Sequence, residues 1–265
     1  MPTLPSEPLP ESHHAREVAE SFGIDPARYD RARPRYPAAL LEAVVPAGST
    51  VLDVGTGTGI VARQLQASGC TVLGVEVDPR MAEFARRDLD VEVSAFETWN
   101  PAGRTFDVVV SGQTWHWIDP VAGAAKAAEA LRPGGLLAAF WNVGLPPADL
   151  AEAFADVYRR VVPESLAARW SSVDPNGYRV LCDRAADGIR QSNAFGEPET
   201  RRHDWTHTYT RDEWLDQVPT TGAHTRFPPD DLAAVLTGLG AVIDEAGGSL
   251  TVEYATVAVT AVRAE

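Results

Sequence analysis

Short apolar runs alternate with helix-period segments along the first half of the chain. Five runs have the pattern of buried strands, at 50–54, 71–75, 91–95, 106–111 and 136–141. Helix-like segments lie between them at 60–68, 80–89 and 121–131, and helical periodicity also covers 37–45. Strands that alternate with helices predict a parallel sheet with helices on both faces. The segment 132–135, Arg-Pro-Gly-Gly, predicts a sharp turn before the fifth strand.

The pattern changes after residue 141. Residues 146–195 predict two or three helices without a strand between them, an insertion suited to cover a cleft. A sixth strand is predicted at 200–210, and a long seventh strand at 249–262, where apolar and polar positions alternate. Two more helices are predicted at 211–218 and 228–246. The chain as a whole is predicted to adopt an α/β fold.

A glycine-rich turn follows the first apolar run. Asp53 precedes three closely spaced glycines, Gly55, Gly57 and Gly59. Glycine permits backbone dihedrals that other residues rarely adopt, and it lets a ligand approach the backbone. Position 60 is Ile, where a dinucleotide-binding loop needs its third glycine, and the Asp53 carboxylate would repel a diphosphate. The turn therefore favours S-adenosylmethionine, which carries an ammonium and a sulfonium group and no phosphate.

An acid also ends the second apolar run. Glu76 follows the segment 71–75, and a carboxylate at this position can accept hydrogen bonds from both hydroxyls of a ribose. A glycine-rich turn alone is also typical of an ordinary strand-to-helix connection. The two acids together favour a ligand-binding loop.

Composition limits the compartment and the partners. The chain of 265 residues, 45% of them hydrophobic, can bury one substantial core. No apolar run approaches the ~20 residues that span a bilayer, and no secretory leader is visible, so we predict a cytoplasmic protein that does not bind membranes. The net charge of −14 opposes binding of nucleic acid. Cys70 and Cys182 lie far apart and are predicted to be buried free thiols.

Four segments resemble class I S-adenosylmethionine-dependent methyltransferases, in the small-molecule group that includes the trans-aconitate and ubiquinone/menaquinone methyltransferases. They are 51–59, 75–81, 111–119, which is similar to a Gln-x-x-His-Trp-x-Asp signature, and 22–23 together with 29–37. The resemblance covers about residues 22–262. It implies a Rossmann-like, doubly wound, mainly parallel seven-stranded sheet with an antiparallel last strand and a helical lid.

The resemblance also implies a division of the chain and an activity. The expected parts are a flexible tail at 1–20, a cofactor-covering segment at 21–48, a cofactor-binding core at 49–145, a helical lid at 146–198 and the rest of the sheet at 199–265. The expected reaction is methyl transfer from S-adenosylmethionine to a small-molecule acceptor by a monomer or homodimer. A non-methylating S-adenosylmethionine enzyme, or a non-catalytic cofactor-binding module, are the alternatives.

The predicted cofactor-binding residues lie at strand ends, in the glycine-rich turn and in the N-terminal segment. They are Tyr29, Arg33, Asp53, Gly55, Thr56, Gly57, Gly59, Glu76, Val77, Met81, Ala95, Phe96, Glu97, Ser111, Gln113 and Trp117. Many relatives carry Gly-Asp-Ala after the third strand, where this chain has 94–97, Ser-Ala-Phe-Glu. The adenine is therefore expected to contact the backbone at Ala95 and Phe96, with Glu97 as a side-chain partner.

His116 is the predicted catalytic residue because it follows the fourth strand, at the edge where such sheets open their ligand crevice. It is either a general base or a residue that shapes the cofactor pocket. Trp115 and Trp117 would point to opposite sides if this segment were extended, so one is expected to line the cleft and the other to pack in the core. The ring of Trp117 or Tyr29 is suited to contact a cationic methyl group.

Other polar residues are weaker candidates. Arg33 or Arg35 could hold the cofactor carboxylate or an acidic substrate, although Arg35 is equally expected to be a surface residue. His203, His207 and His224 lack partners at recognised ligand spacing, so no metal site is predicted. Candidate substrate contacts in the lid are Trp170, Tyr178 and Arg179.

Overall fold

A seven-stranded sheet forms the centre of the molecule. The computed structural model describes residues 21–165, 168, 178–222 and 224–265. The strands are β1 (Thr50–Val54), β2 (Thr71–Glu76), β3 (Asp90–Val93), β4 (Phe106–Gly112), β5 (Leu131–Leu145), β6 (Glu199–Thr210) and β7 (Ser249–Val262), in the order β3-β2-β1-β4-β5-β7-β6. The pairs among β1 to β5 are parallel, whereas β7 is antiparallel to β5 and β6. The predicted Rossmann-like fold with an antiparallel last strand is confirmed.

The helices follow the strands in the expected alternation. They are α1 (Pro26–Ala32), α2 (Ala38–Val44), α3 (Ile60–Ala67), α4 (Pro79–Ala85), α5 (Pro120–Ala130), α6 (Ala148–Val161), α7 (Arg179–Ser192), α8 (Arg211–Gln217) and α9 (Pro229–Glu245). Three of them begin at an Asp-Pro pair, in which Asp25, Asp78 or Asp119 accepts a backbone N–H of the first turn. Such an acid satisfies an amide that has no partner within the helix, and proline fits the first helical position.

The core divides between the two faces of the sheet because side chains alternate along each strand. Leu52 of β1 faces a layer with α5 and α7, whereas Val51 faces a layer with α2, α3 and α4. A third cluster joins α6, α8 and α9 to the start of β7 and includes Tyr254. Tyr254 lies four residues before Ala258, which faces the α2–α4 layer, so this cluster shares that face. At the carboxyl end of β4, Gly112 lies against Val61 of the α2–α4 layer, and near the end of β5, Gly144 lies against Tyr254 of the third cluster.

Several element boundaries differ from the prediction. Helix α4 ends at Ala85 and not at residue 89. Leu89 lies in the turn after the helix but is buried, so its apolar side chain continues the helical pattern in the sequence. Strand β3 ends at Val93, two residues early. The predicted start of the fifth strand at 136 is wrong, since β5 begins at Leu131. The turn predicted at 132–135 lies inside this strand as a bulge: the pairing with β4 jumps from Phe106–Leu131 to Val108–Leu136, and Gly134 has a left-handed φ of 74°. A β-bulge of this kind leaves no periodic signal in the sequence.

The described part of the predicted lid divides between two packing groups. Helix α6 packs against α8 and α9, where the rings of Phe154 and Trp214 are 5.8 Å apart. Helix α7 packs with α5 on the other face of the sheet. Trp170 and the predicted tail at 1–20 lie outside the described residues.

Two composition-based expectations concern the whole molecule. Cys70 and Cys182 are buried free thiols, as predicted. Within the described ranges, no helix combines the length and the apolar character needed to cross a bilayer.

Candidate functional site

The turn after β1 is held in a conformation that requires glycine. Gly55, Gly57 and Gly59 have φ angles of 65°, 57° and 90°. A Cβ on Gly55 would also lie 2.0 Å from Cγ2 of Thr114, so this position excludes a side chain on two grounds. At Gly57 the nearest atom to such a Cβ is Cε of Met81, 3.7 Å away. The turn is therefore closely packed at its start and open in its middle, where a ligand can approach the backbone.

Asp53 is buried directly beneath this turn. Its Oδ2 accepts a hydrogen bond from Oγ1 of Thr56 at 2.7 Å, while Oδ1 has no hydrogen-bond partner in the described structure. Burial raises the pKa of Asp53 to about 7. A buried carboxylate with an unused oxygen is costly unless a donor or a cation satisfies it. The site thus matches the expected cationic ligand.

Glu76 lies opposite, at the end of β2, and the backbone holds its carboxylate in place. Oε2 accepts from the N–H of Gly57 at 2.8 Å, and Oε1 accepts from the N–H groups of Val77 and Asp78 at 2.9 Å each. Burial raises the pKa of Glu76. These three bonds fix both oxygens and link the glycine-rich turn to β2. Each carboxylate oxygen retains acceptor capacity for a further donor such as a ribose hydroxyl.

Several predicted contacts after β3 and β4 have structural partners. Phe96 is buried in the core, so only its backbone remains for an adenine contact. Glu97 accepts from the N–H of Asp119 at 3.1 Å, and Gln113, at a left-handed φ of 59°, accepts from the N–H of Asn142 at 2.9 Å. Ser111 is fully buried and its Oγ has no partner among the described residues. The carbonyl of Ala95 accepts from Thr98.

His116 lies in a short 3-10 turn, Trp115–Trp117, and not in an extended segment. Trp115 is buried in the core, whereas Trp117 is partly exposed, with its ring 4.6 Å from the His116 ring. Nε1 of Trp141 donates to Nδ1 of His116 at 3.2 Å, and burial lowers the pKa of His116 to about 4. A neutral imidazole that accepts at Nδ1 carries its proton on Nε2. This arrangement favours the pocket-shaping role of His116 over the general base.

The N-terminal segment contacts the same edge of the sheet through aromatic side chains. The Phe22 ring lies 6.1 Å from Tyr29 and 6.2 Å from Trp117, and the Arg33 guanidinium lies 5.1 Å from the centre of the Tyr29 ring. A Cβ on Gly23 would be 2.0 Å from Oδ2 of Asp78, so the backbone there packs directly on the turn after β2. The structure thus places predicted residues of the segment beside the β4 loop.

Two groups of charged residues anchor this segment. Arg63 of α3 donates to the carbonyl of Thr58 at 2.7 Å and pairs with Asp30 of α1. Arg28 and Arg31 of α1 pair with Asp216 of α8, each with a contact of 2.8 Å. Helix α1 is therefore tied both to the glycine-rich turn and to the C-terminal helices. Arg35 is exposed, in agreement with its surface alternative.

The three histidines of the C-terminal part are not brought together. His203 and His207 lie on β6, whereas His224 is buried between Oγ1 of Thr221 at 2.5 Å and the hydroxyl of Tyr158 at 2.8 Å. Burial lowers the pKa of His224 to about 3. In the part of the chain that the structure describes, no three His, Cys, Asp or Glu side chains are grouped as metal ligands would be.

Sequence reasoning missed several residues that organise the site. Thr114 packs against Gly55 and donates to its carbonyl at 3.2 Å, Arg63 braces the turn, Trp141 fixes the His116 ring, and Asn142 binds Gln113. Thr114 lies within the signature-like segment 111–119, Trp141 ends the predicted fifth strand and Asn142 follows it, so their positions carried a signal although their contacts did not. Most of these contacts join distant segments, which local patterns do not contain.

Known proteins resemble this chain at three levels. A protein-family model described as a methyltransferase domain matches residues 29–246. An uncharacterized methyltransferase of Mycobacterium tuberculosis is 35% identical over 131 residues, which cover 48% of this chain and 54% of that protein. The demethylmenaquinone methyltransferase of Tropheryma whipplei is 31% identical over 155 residues, 54% of this chain and 61% of that protein.

The chain thus spans between half and two thirds of the length of the curated relatives it matches. Among solved structures, a candidate type II methyltransferase from Anaeromyxobacter dehalogenans superposes with a TM-score of 0.59 at 24% identity, over 86% of this chain and 97% of that one. This likeness shows that the fold is shared.

Proposed function

The chain belongs to the class I S-adenosylmethionine-dependent methyltransferases, and from this premise we propose that it transfers the methyl group of S-adenosylmethionine to a small-molecule acceptor. The observation that carries the proposal is the pair of buried carboxylates on either side of the open glycine-rich turn. Asp53 has an unused oxygen for a cationic group, and Glu76 is held by three backbone bonds in position for a ribose.

The same residues suggest how the cofactor would be held. We assign the ammonium end to Asp53 and the turn at 55–59, the ribose to Glu76 with Val77 and Met81 beside it, and the adenine to the backbone of Ala95 and Phe96. Ser111, Gln113, Trp117 and the segment with Tyr29 and Arg33 would surround the remaining edge. The Phe22 ring lies there beside both Tyr29 and Trp117, which supports a covering role for residues 21–48.

The protein's main chemical task is alignment. When bound, S-adenosylmethionine supplies an activated methyl group, so the residues around it need to orient the acceptor and exclude water. Alignment of two reactants can supply ~7–11 kcal/mol of a barrier. We assign His116 to this positioning role, with its ring held by the hydrogen bond from Trp141. A base is required only for an acceptor that must lose a proton.

The tautomer of His116 can be measured without an acceptor. In ¹⁵N NMR spectra, we expect a neutral ring protonated on Nε2 throughout pH 5.5–8, because its pKa is lowered to about 4. His116→Gln identifies the signal, and Trp141→Phe should release Nδ1. A ring that gains a proton near pH 7 would instead support the general base.

Charge and sequence pattern extend the proposal to its setting. The net charge of −14 argues against nucleic acid as the substrate. We further propose a cytoplasmic location, no membrane binding, a monomeric or homodimeric state, and a role in small-molecule metabolism. The segment 146–198 remains a proposed lid, of which helix α6 packs with α8 and α9 and helix α7 packs on the other face of the sheet.

The test measures cofactor binding and product together. Calorimetry should show binding of S-adenosylmethionine to the wild-type protein, and mass spectrometry should detect S-adenosylhomocysteine and a methylated product with panels of amides, phenols, carboxylates and amines. If S-adenosylhomocysteine forms and no panel compound is methylated, the acceptor lies outside the panels. If S-adenosylmethionine is cleaved to products other than S-adenosylhomocysteine, the reaction is an elimination. Binding without any turnover on crude metabolite extracts would favour a binding module, and absence of binding would overturn the proposal.

A further inference from the structure

Buried side-chain atoms without hydrogen-bond partners fall into two groups in the described residues. Four of the seven lie around the glycine-rich turn and β4, in Asp53, Thr58, Ser111 and Trp115. The other three all belong to helix α8: Nε1 of Trp214 and both amide atoms of Gln217. Buried polar atoms are almost always paired, so a cluster of unpaired ones calls for a physical explanation, such as a bound water or ligand. In the first group, Asp53, Thr58 and Ser111 lie in or beside the proposed cofactor site and Trp115 packs in the core, whereas the second group has no role in that site.

The second group forms one polar surface. Trp214 and Gln217 are three residues apart and so share a face of α8. The Gln217 side chain is buried, with an exposed fraction of 2%. It lies close to Tyr254 and lowers the pKa of that hydroxyl, against the larger effect of burial, which raises it. The two groups do not meet hydrogen-bond geometry. The Trp214 ring lies 5.4 Å from Tyr209, whose hydroxyl is 2.7 Å from that of Tyr254.

The tyrosine pair adds a further donor. Two hydroxyl groups that share one hydrogen bond use only one of their two protons in it, so one O–H remains available. Burial raises the pKa of both Tyr209 and Tyr254, which keeps both hydroxyls protonated. The surface therefore offers an indole N–H, an amide with a donor and an acceptor, and a hydroxyl proton.

This surface adjoins the proposed cofactor site. A Cβ on Gly144 would be 2.6 Å from the Tyr254 ring, so Tyr254 lies directly over the carboxyl end of β5. Two residues earlier, Asn142 donates its N–H to Gln113 at the end of β4. Arg33 is also near enough to lower the pKa of Tyr209 and Tyr254 against the larger effect of burial. The second group is buried and lies toward the same edge of the sheet as the glycine-rich turn.

We propose that Trp214, Gln217 and the Tyr209–Tyr254 pair bind the methyl acceptor, and that Gln217 recognises a planar group with a hydrogen-bond donor beside an acceptor. A primary amide, or a hydroxyl next to a carbonyl, satisfies both amide atoms of Gln217 at once. A carboxylate has only acceptors and leaves Oε1 of Gln217 unpaired. The inference rests on the proposed methyltransferase function, since it identifies the ligand as the acceptor.

Two small probes test the inference. Salicylamide carries a hydroxyl beside an amide, and toluene has a similar ring without either group. With the protein saturated by S-adenosylhomocysteine, saturation-transfer NMR should show salicylamide binding that weakens at least tenfold in Gln217→Leu. Toluene binding should change less than twofold. Gln191→Leu, at an exposed position of α7, is the matched control and should behave as the wild type.

Folding is monitored in the same samples. Because Gln217→Leu removes two unpaired polar atoms, its Tm should equal or exceed that of the wild type. Equal salicylamide binding in Gln217→Leu, no binding by the wild type, or a Tm that falls by several degrees would each overturn the inference. If S-adenosylhomocysteine does not bind but Gln217-dependent salicylamide binding persists, the polar site stands and the methyltransferase proposal fails.

Discussion

The two sides of the proposed cleft are built by different means. On the cofactor side, the key contacts join neighbouring segments and use mostly backbone donors: the N–H groups of Gly57, Val77 and Asp78 bind Glu76. On the C-terminal side, side chains from distant segments meet, as in the Tyr209–Tyr254 pair and the bond from Trp205 to Thr256. The first arrangement fixes a ligand common to a family. The second can change by single side-chain substitutions, which suits the choice of an acceptor.

Substitution of Asp53 should give the largest change in the free energy of unfolding, because this buried carboxylate destabilises the folded protein when it is ionised. Burial raises its pKa from 3.8 to about 7, so the folded protein binds this proton more tightly than the unfolded chain. Stability should therefore fall as pH rises from about 4 to about 7, by up to about 4 kcal/mol. Asp53→Asn cannot ionise and should escape this loss.

Urea unfolding without cofactor, at pH 5 and pH 8, measures this difference. The variant should be more stable than the wild type at pH 8 and bind S-adenosylmethionine more weakly. Parallel pH dependence in the two proteins would contradict the assignment of the titration to Asp53.

Glu76→Ala should weaken S-adenosylmethionine binding about 100-fold, since two hydrogen bonds from a ribose to a charged acceptor are lost at about 1.5 kcal/mol each. Glu76→Gln keeps the length of the side chain and should lose less. Titration calorimetry measures both. If the two sides of the cleft are independent, salicylamide should bind both variants as it binds the wild type. An unchanged cofactor affinity in Glu76→Ala would show that Glu76 does not bind the cofactor.

Gly55→Ala and Gly48→Ala form a matched pair for the glycine-rich turn. Both glycines have positive φ, 65° and 78°, but only Gly55 has a neighbour, Thr114, where a Cβ would lie. Each substitution should cost about 1–2 kcal/mol of stability for the left-handed backbone. Gly55→Ala should cost more in urea unfolding and also weaken cofactor binding. Equal losses would show that the contact with Thr114 relaxes easily.

Asp216→Asn gives the smallest expected effect and tests whether the two sides are coupled. Its partners Arg28 and Arg31 have side chains 35% and 62% exposed, so solvent screens both ion pairs and each contributes little to stability. The urea midpoint of unfolding should therefore shift only slightly. If α1 couples the two sides, Asp216→Asn should weaken the binding of S-adenosylhomocysteine and of salicylamide by similar factors. The control, Asp212→Asn, lies one turn earlier on α8 and should change the binding of neither ligand.

The same contrast explains what could be predicted from the sequence. The bounds of β1, Thr50–Val54, agree with the apolar run, because strand, acid and glycines are consecutive. Helix starts at Asp78-Pro79 and Asp119-Pro120 are also local signals. Tyr254 and Gln217, by contrast, become neighbours only through the antiparallel pairing of β6 with β7 and the packing of α8. Their sequence positions carry no mark of this contact.

The side chain of His116 shows a second limit. Its place after β4 is visible in the sequence, but the hydrogen bond that selects its tautomer comes from Trp141 on the next strand. Position in the chain predicted where the ring lies, and tertiary packing decides what its two nitrogens do.

Helix α1 is tied to Arg63 beside the glycine-rich turn and to Asp216 beside Gln217. If residues 21–48 cover the cofactor as proposed, this segment would act as one gate over both proposed sites. Release of the methylated product and of S-adenosylhomocysteine would then require the same opening motion. Turnover limited by such a gate should give nearly the same kcat for reactive and unreactive acceptors and should slow as solvent viscosity rises. A kcat that follows the nucleophilicity of the acceptor would show that the gate opens faster than the methyl group moves.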